Sequence, residues 1–205
     1  MNRYLDFEDD IEIIDNKIKE LDEDNNNFNN EKIKLLEKKN NLLKSIYSNL
    51  TAWDKVQVAR HADRPHSINY INLIFQNIVY LHGDKKFSDD TAIIGCIAEL
   101  SGQSVMVIGT EKGNTMESRI KHNFGMAKPE GYRKSQRLMK IANKFNLPII
   151  TFVDTAGAFP GKDAEERGQS ESIASSILTS FKVDSPIISV VIGEGGSGGA
   201  IALAT

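Results

Sequence analysis

The chain has 205 residues, 40% of them hydrophobic, and a formal net charge of −3. This length suffices for one sizeable core, and the slightly acidic charge excludes the basic surface typical of nucleic-acid-binding domains. The single cysteine, Cys96, excludes an internal disulfide. No apolar run reaches the length of about 18 residues needed to span a membrane, and the acidic N-terminus does not resemble a signal peptide. We therefore expect a soluble, cytoplasmic protein without a nucleic-acid or membrane site.

Residues 1–50 differ in composition from the rest of the chain, because they are rich in charged side chains and asparagine. Their apolar side chains recur every three, four or seven residues, which is typical of amphipathic helices. The asparagine-rich residues 22–30 are the predicted connection between two such helices. We therefore expect an N-terminal helical hairpin at 1–50 and a globular domain at 51–205.

The globular part alternates helical and strand patterns. Two β-rich runs, 91–99 and 104–108, are joined by a turn sequence typical of a hairpin. Strands separated by helices of the predicted length favour right-handed crossovers and a parallel sheet, so the expected fold class is α/β. The other predicted elements are a helix capped by Thr51, a helix at 67–81, a helix at 130–145, a strand at 147–153, a helix at 164–181 and a strand at 186–192.

Five of the seven residues at 193–199 are glycine. They follow a predicted buried strand and precede an Ala/Ile/Leu run that is typical of a buried helix start. Unpaired backbone N–H groups and the helix dipole favour an anion at such a position. The sequence therefore predicts a loop that holds negative charge, either on a bound phosphate or on an oxyanion formed during a reaction.

Three interpretations compete for this glycine segment. Residues 193–198 match G-x-G-x-x-G, but a dinucleotide site needs an acidic residue about 20 positions later, and the sequence ends first. Residues 195–199 match G-x-S-x-G, the nucleophile elbow, yet all four histidines precede Ser197. Another fold could still bring a histidine to Ser197, so a serine hydrolase stays open. The third interpretation is an oxyanion hole without a serine nucleophile.

A second motif, DTAGAFPG at 154–161, follows the strand predicted at 147–153. Its first four residues are similar to the metal-side segment of GTPases, but no P-loop precedes it, so a GTPase is excluded. The carboxylate of Asp154 then lies at the carboxyl end of a strand, where α/β sheets bind ligands. A buried structural carboxylate is an equally open interpretation of Asp154.

Basic residues near the predicted loops, among them Lys112, Arg133 and Lys134, are candidates for attracting a phosphate-bearing ligand. An ordinary solvated helix face explains them equally well. The cysteine and the histidines do not occur at the spacing of metal ligands, so we expect no metal site on this chain.

Several motifs together carry a resemblance to a known family. They are NFGM at 123–126, PEGYRK at 129–134, DTAGAFPG at 154–161, AEERGQSE at 164–171 and GEGGSGGA at 193–200, with LDFE at 5–8, the segment around Trp53, ARH at 59–61 and RP at 64–65. Over almost the whole chain, this ordered set resembles the α subunit of bacterial and plastid acetyl-CoA carboxylase carboxyltransferase. One departure is Ala156, where members of that family usually have proline.

The resemblance implies an α/β, crotonase-like (ClpP/crotonase) fold, a superhelix of ββα units that is incomplete here and follows the helical hairpin. It implies transfer of CO₂ from carboxybiotin, held on a separate biotin carboxyl carrier protein, to acetyl-CoA, giving malonyl-CoA for fatty acid biosynthesis in the bacterial cytoplasm. The implied partners are a zinc-binding carboxyltransferase β subunit, the carrier protein and biotin carboxylase, in an ATP-binding complex with an α2β2 carboxyltransferase.

The resemblance also implies roles for individual residues. Gly198 and Gly199 are the expected catalytic residues, because their N–H groups donate to the biotin ureido oxygen as it becomes charged, and Ser197 is then a small spacer. The expected substrate-binding residues are Gly195, Gly196, Asp154, Gly157, Ala158 and Gly161.

Members of the family continue beyond the position of Thr205, so the resemblance implies a truncated chain. Its second ββα layer is then expected to expose apolar surface. Two other functions stay open: a crotonase-family acyl-CoA hydratase or isomerase, which carries its CoA site and catalytic residues on one chain, and an inactive assembly fragment.

Overall fold

The computed structural model describes residues 4–23 and 29–204. The chain divides into two compact units, Met1–Asp63 and Arg64–Thr205. Part of the predicted connection between the first two helices, residues 24–28, lies outside the described residues. No helix among the described residues is both long enough and apolar enough to cross a membrane.

The first unit is helical. Ile11 and Ile14 on its first helix are buried, and Asp15 of that helix pairs with Lys39 of the second. Thr51 caps the third helix as predicted, since its hydroxyl accepts a hydrogen bond of 3.2 Å from the N–H of Asp54. The elements of this unit are a 3-10 turn at Asp6–Glu8, α1 at Asp9–Glu23, α2 at Asn29–Ser48 and α3 at Ala52–Ala59.

The second unit contains a mixed sheet. Its strands lie in the order β1-β2-β3-β4-β5, with antiparallel pairing from β1 to β3 and parallel pairing from β3 to β5. Two antiparallel strands followed by a helix and a parallel strand make up the predicted ββα arrangement. The elements are α4 at Ser67–Ile74, β1 at Gln76–Tyr80, β2 at Ile93–Leu100, β3 at Gln103–Thr110, α5 at Met116–Lys121, α6 at Pro129–Lys144, β4 at Ile149–Thr155, α7 at Lys162–Glu166, α8 at Gln169–Lys182, β5 at Ile187–Gly195 and α9 at Ser197–Ile201.

Apolar side chains cover both faces of this sheet. Met106 and Ile108 of β3 pack with Leu138 of α6 on one face. Val105 and Val107 pack on the other face in the cluster that contains α4 residues. The alternation follows from the two-residue period of a strand. Burial on both faces explains why residues 105–108 of β3 are apolar without interruption.

Three predictions are confirmed. The predicted β-hairpin is β2–β3, the helix predicted at 130–145 is α6, and the strand predicted at 147–153 is β4. The hairpin turn consists of Ser101 and Gly102, which have φ of 51° and 82°. Positive φ at both turn residues is typical of a type I′ turn, whose twist matches that of the flanking strands.

The prediction of one helix at 67–81 was wrong in its second half. The helix α4 ends at Ile74, and β1 follows at Gln76–Tyr80, antiparallel to β2. Ile71, Phe75 and Ile78 still contact the same core cluster, which is why their spacing looked helical. Residues 76–80 form a strand because they pair with β2, and this tertiary pairing outweighs their helical spacing.

The predicted helix at 164–181 is divided into α7 and α8. Gly168 between them has φ of +81°, a left-handed conformation that a continuous helix does not contain. The chain turns there, so the acidic residues of α7 and the apolar stripe of α8 belong to separate helices.

Apolar side chains are exposed on β5 and α8, as expected for a partly covered layer. They are Ile188 and Val191 on the strand and Leu178 and Phe181 on the helix, each more than half exposed.

The hairpin turn allows a test of backbone strain without side-chain contacts. A Cβ at Gly102 would have no neighbour within 4 Å, so only its φ of +82° opposes substitution. We expect Gly102→Ala to lower the free energy of unfolding by about 1 kcal/mol, and Gly102→Asn to lower it less, because asparagine tolerates this conformation. Denaturant unfolding of the two variants measures the difference, and equal stability of Gly102→Ala and wild type would contradict the assignment.

Candidate active site

The glycine segment forms a sharp elbow between β5 and α9. The strand continues to Gly195, Gly196 is the N-cap and the helix begins at Ser197, so the loop expected at 193–199 is reduced to one residue. The N–H of Gly196 donates to the carbonyl of Thr155 on the neighbouring strand at 2.8 Å. Ser197 has φ of +53° at the point where the backbone changes direction. The carboxyl ends of β4 and β5 therefore meet at this elbow.

Three glycines of the elbow are required by its packing against the turn that follows β4. A Cβ at Gly193 would lie 2.2 Å from Oδ1 of Asp154, and one at Gly196 would lie 2.2 Å from the carbonyl oxygen of Ala156. A Cβ at Gly199 would lie 2.7 Å from the carbonyl carbon of Gly157. At Gly196 and Gly199 the two backbones approach too closely for any other residue, and at Gly193 the space is taken by the buried Asp154 carboxylate.

The other two glycines of the elbow are not required by the fold. The nearest neighbours of a Cβ would be Val191 at 3.7 Å from Gly195 and Ile173 at 3.5 Å from Gly198, both ordinary van der Waals distances. Neither glycine has a positive φ. Gly195 is exposed and Gly198 half-buried, so both leave backbone open to a ligand.

The first turn of α9 supplies hydrogen-bond donors. Its first intrahelical bond runs from the N–H of Ala200 to the carbonyl of Gly196 at 3.1 Å. The three preceding N–H groups, of Ser197, Gly198 and Gly199, therefore have no acceptor within the helix. Gly199 is buried, whereas Gly198 is half-buried, so the more accessible donor among the two expected catalytic residues belongs to Gly198.

The turn at 154–161 is held by side-chain hydrogen bonds from Thr155 within it and from Gln169 of α8. The Thr155 hydroxyl accepts from the N–H of Gly157 at 3.1 Å and lies 2.7 Å from the carbonyl oxygen of Gly125. Gln169 donates to the carbonyl of Phe159 at 2.8 Å. The backbone of Gly157 and Ala158 lies against that of Gly199. Gly161 lies farther along the turn, where it is the N-cap of α7.

Asp154 is a buried carboxylate with several partners in its own chain. Its side chain is 1% exposed and accepts from Nδ1 of His66 at 3.0 Å, Nζ of Lys112 at 2.9 Å and the N–H of Glu194 at 3.0 Å. Burial opposes ionisation, but the hydrogen bonds from His66, Lys112 and Glu194 outweigh it and lower the pKa of Asp154 to about 2. The geometry thus agrees with the structural interpretation of this residue.

The phosphate-binding interpretation of Arg133 and Lys134 was wrong. Arg133 pairs with the buried Asp84 at 2.8 Å. Lys134 is 2% exposed, and its Nζ contacts the carboxylate of Asp89 and the carbonyl of Asp90. Both cations are therefore neutralised within the fold.

The histidines have contacts that do not involve Ser197. They are His61 with the N–H of Asp63, His66 with Asp154, His82 with Asp89 and His122 with the carbonyl of Thr91. These contacts give the serine-hydrolase interpretation no support. Among residues 4–23 and 29–204, no group of three or more potential ligands is arranged to hold a metal ion.

A family model for proteins described as acetyl co-enzyme A carboxylase carboxyltransferase-like matches residues 4–205. The chain belongs to this family. It is 55% identical over 205 residues to the acetyl-coenzyme A carboxylase carboxyl transferase subunit alpha of Paramagnetospirillum magneticum, covering 98% of this chain and 65% of the relative. It is 53% identical over 210 residues to the subunit alpha of Agrobacterium fabrum, covering all of this chain and 66% of that relative. The chain therefore spans slightly less than two thirds of these relatives' length.

Solved structures confirm the crotonase-like carboxyltransferase fold. The β subunit of geranyl-CoA carboxylase from P. aeruginosa matches 70% of this chain and 25% of its own length with a TM-score of 0.56 and 17% identity. A single-chain, multi-domain long-chain acyl-CoA carboxylase matches 72% of this chain and 15% of its own length with a TM-score of 0.58 and 19% identity. At these identities the likeness shows the shared fold of the family.

The two classes of glycine in the elbow predict different effects of substitution on stability. We expect Gly199→Ala to lower the melting temperature by several degrees, because its Cβ meets backbone that has no room to move. Gly195→Ala, where the nearest atom is 3.7 Å away, should melt close to wild type. Thermal unfolding followed by circular dichroism compares them, and equal losses in both variants would contradict the packing argument.

The buried carboxylates predict acid sensitivity. Burial also opposes ionisation of Asp84, but hydrogen bonds from the Phe87 and Lys86 N–H groups and from Arg133 lower its pKa to about 2, below the usual 3.8. A carboxyl with a lower pKa in the folded chain stabilises it above about pH 4, and this contribution disappears as the pH falls towards 2.

We therefore expect wild type to lose about 2 kcal/mol of unfolding free energy for each of Asp84 and Asp154 across that range. Asp84→Asn should show a smaller pH dependence there and a lower stability at pH 7. Denaturant titrations between about pH 2 and pH 7 measure both. An unchanged pH dependence in Asp84→Asn would show that this carboxyl has an ordinary pKa.

Proposed function

We propose that this chain supplies the α-subunit part of a biotin-dependent carboxyl transfer, in which CO₂ passes from carboxybiotin to acetyl-CoA and gives malonyl-CoA for fatty acid biosynthesis. The relatives that match almost the whole chain are named as this subunit. The observation that carries the proposal is the elbow, which leaves Gly198 partly exposed in the first turn of a helix, where its N–H has no acceptor within that helix. Family membership supports carboxyl transfer as the reaction class, and the elbow offers backbone N–H donors that could stabilise the charge formed in such a reaction.

The N–H groups of Gly198 and Gly199 have the role of oxyanion donors in this proposal. Carboxybiotin would supply the activated CO₂ when bound and would take up the acetyl proton in exchange, and the two N–H groups would stabilise the negative charge on the ureido oxygen. The backbone at Gly195 and Gly198 fits an approaching ring, because a Cβ at either position would have only ordinary van der Waals neighbours. Donors that already point towards the developing charge need no reorganisation, and the loss of one such donor costs about 100- to 1,000-fold in rate.

The remaining expected site residues have two kinds of role. Gly195 and the Gly157–Ala158 backbone form the surface against which the substrate lies. Gly196 and Asp154 support that surface, since Gly196 is packed against Ala156 and the carboxylate of Asp154 is buried. Gly161 ends the same turn as the N-cap of α7. In this proposal none of them exchanges a proton with the substrate.

The proposed assembly is that of a multisubunit carboxylase in the bacterial cytoplasm. A zinc-binding carboxyltransferase β subunit binds acetyl-CoA opposite the elbow, and a biotin carboxyl carrier protein brings biotin from biotin carboxylase. The carboxyltransferase itself is an α2β2 heterotetramer. The designation of the relatives as a subunit supports partners of this kind.

Gly198→Ala tests the proposal with the least disturbance of the fold. Its Cβ has room, and alanine favours a helix more than glycine does, so the variant should melt at or slightly above the wild-type temperature. The added methyl group should nevertheless obstruct the approach to the N–H and lower malonyl-CoA formation by about 100-fold. The assay uses the complete polypeptide assembled with its β subunit.

Lys140→Met, an exposed change on α6, is the matched control and should keep wild-type turnover. Full turnover by a folded Gly198→Ala would exclude the oxyanion role of this residue. Absence of malonyl-CoA formation by the wild-type assembly would overturn the proposed reaction itself.

A further inference from the structure

The end of β5 departs from the regular ladder just before the elbow. Val153 pairs with Val191, and Thr155 pairs with Gly195, so β4 advances two residues while β5 advances four. Two extra residues on β5 form an irregularity of the bulge type, which re-aims the strand that carries it. The ladder alone therefore does not determine where the strand points when it reaches the glycines.

Side chains replace the missing ladder bonds at this irregularity. The N–H of Glu194 donates to Oδ1 of Asp154 at 3.0 Å. The carbonyl of Ile192 accepts from Nε of Arg64. The backbone position of the bulge thus depends on the side chains of Asp154 and Arg64. Asp154 binds Glu194, which is nearer to the elbow than Ile192 is.

Asp154 is itself held from two other segments. Lys112, in the loop after β3, contacts both the carboxylate of Asp154 and that of Glu194. Nδ1 of His66, at the N-cap of α4, donates to Oδ2 of Asp154 at 3.0 Å. Gly125 leaves the space for the stem of Lys112, since a Cβ there would lie 2.7 Å from its Cγ.

We propose that Asp154 and Lys112 are positioning residues for carboxyl transfer, because together they set the bulged end of β5 and thereby the direction of the Gly198 N–H. This inference rests on the proposed function of the elbow. Glu194 is linked to Lys112 through its side chain and to Asp154 through its N–H, and Gly198 follows four residues later. A shift of about 1 Å in a catalytic donor costs about 100-fold in rate, so a modest movement of the bulge is sufficient to affect catalysis.

The test measures kcat, the KM for acetyl-CoA and the melting temperature in the complete polypeptide assembled with its β subunit. Lys112→Met keeps the buried stem and removes the charge, and Asp154→Asn keeps an oxygen for the Glu194 N–H. We expect each to lower kcat by about tenfold or more, with KM within about twofold of wild type. Lys112→Arg should restore kcat to within about threefold, because a guanidinium can bridge both carboxylates.

Lys140→Met again is the control and should match wild type. If Asp154 and Lys112 have only a structural role, the variants should melt at a lower temperature while kcat per folded enzyme stays unchanged, and that result overturns the inference. Failure of Lys112→Arg to restore kcat also overturns it. If Lys112→Met or Asp154→Asn does not fold, Glu194→Gln decides, because it removes the charge that pairs with Lys112 from a partly exposed side chain. Unchanged kcat in Glu194→Gln overturns the positioning role while wild-type turnover upholds the carboxyl-transfer proposal. Absence of wild-type turnover overturns both.

Discussion

The site depends on the close approach of two backbone turns, one after β4 and one after β5. Gly193, Gly196 and Gly199 lie three residues apart, and each is packed against a different part of the turn at 154–158. Gly196 and Gly199 meet backbone atoms and Gly193 meets the buried Asp154 carboxylate, so neither turn can move without a clash with the other. Donors carried by such an elbow keep their direction before a ligand arrives, which is the condition for effective electrostatic stabilisation.

A buried charge supports this contact. Removing a carboxylate from water is costly unless donors replace the water. Asp154 receives them from His66, Lys112 and the backbone of Glu194, three segments that converge on one side chain. The arrangement specifies where β3, β4, β5 and the start of α4 meet, because displacement of any one of them leaves the charge with fewer partners.

Regular elements were predictable from the sequence, whereas the supports of the site were not. The β2–β3 hairpin and α6 have both the expected periodicity and the expected turn or cap residues, so local rules suffice for them. The strand β1 was missed because it forms only by pairing with β2, and its apolar residues continue the spacing of α4.

The glycine elbow could be located from its motif and from the family resemblance, since its residues are contiguous. The cluster around Asp154 could not, because His66 lies 88 residues and Lys112 lies 42 residues before it in the sequence. Lys112, Arg133 and Lys134 were all candidates for binding an anion. No local sequence pattern distinguishes a cation that pairs with a buried carboxylate of its own chain from one that binds a ligand.

The short helix α9 cannot hold the elbow by itself, because five residues are too few for a stable isolated helix. Its far end is instead tied to the core: the Ser176 hydroxyl donates to the carbonyl of Ala202 at 2.8 Å, and the Thr151 hydroxyl donates to that of Leu203 at 2.9 Å. The elbow is thus anchored on one side by Asp154 and on the other by buried residues that follow α9. Gly198 lies between these anchors, with backbone that is partly exposed and sterically open. A ligand that reaches it meets a donor whose position is determined by packing on both sides.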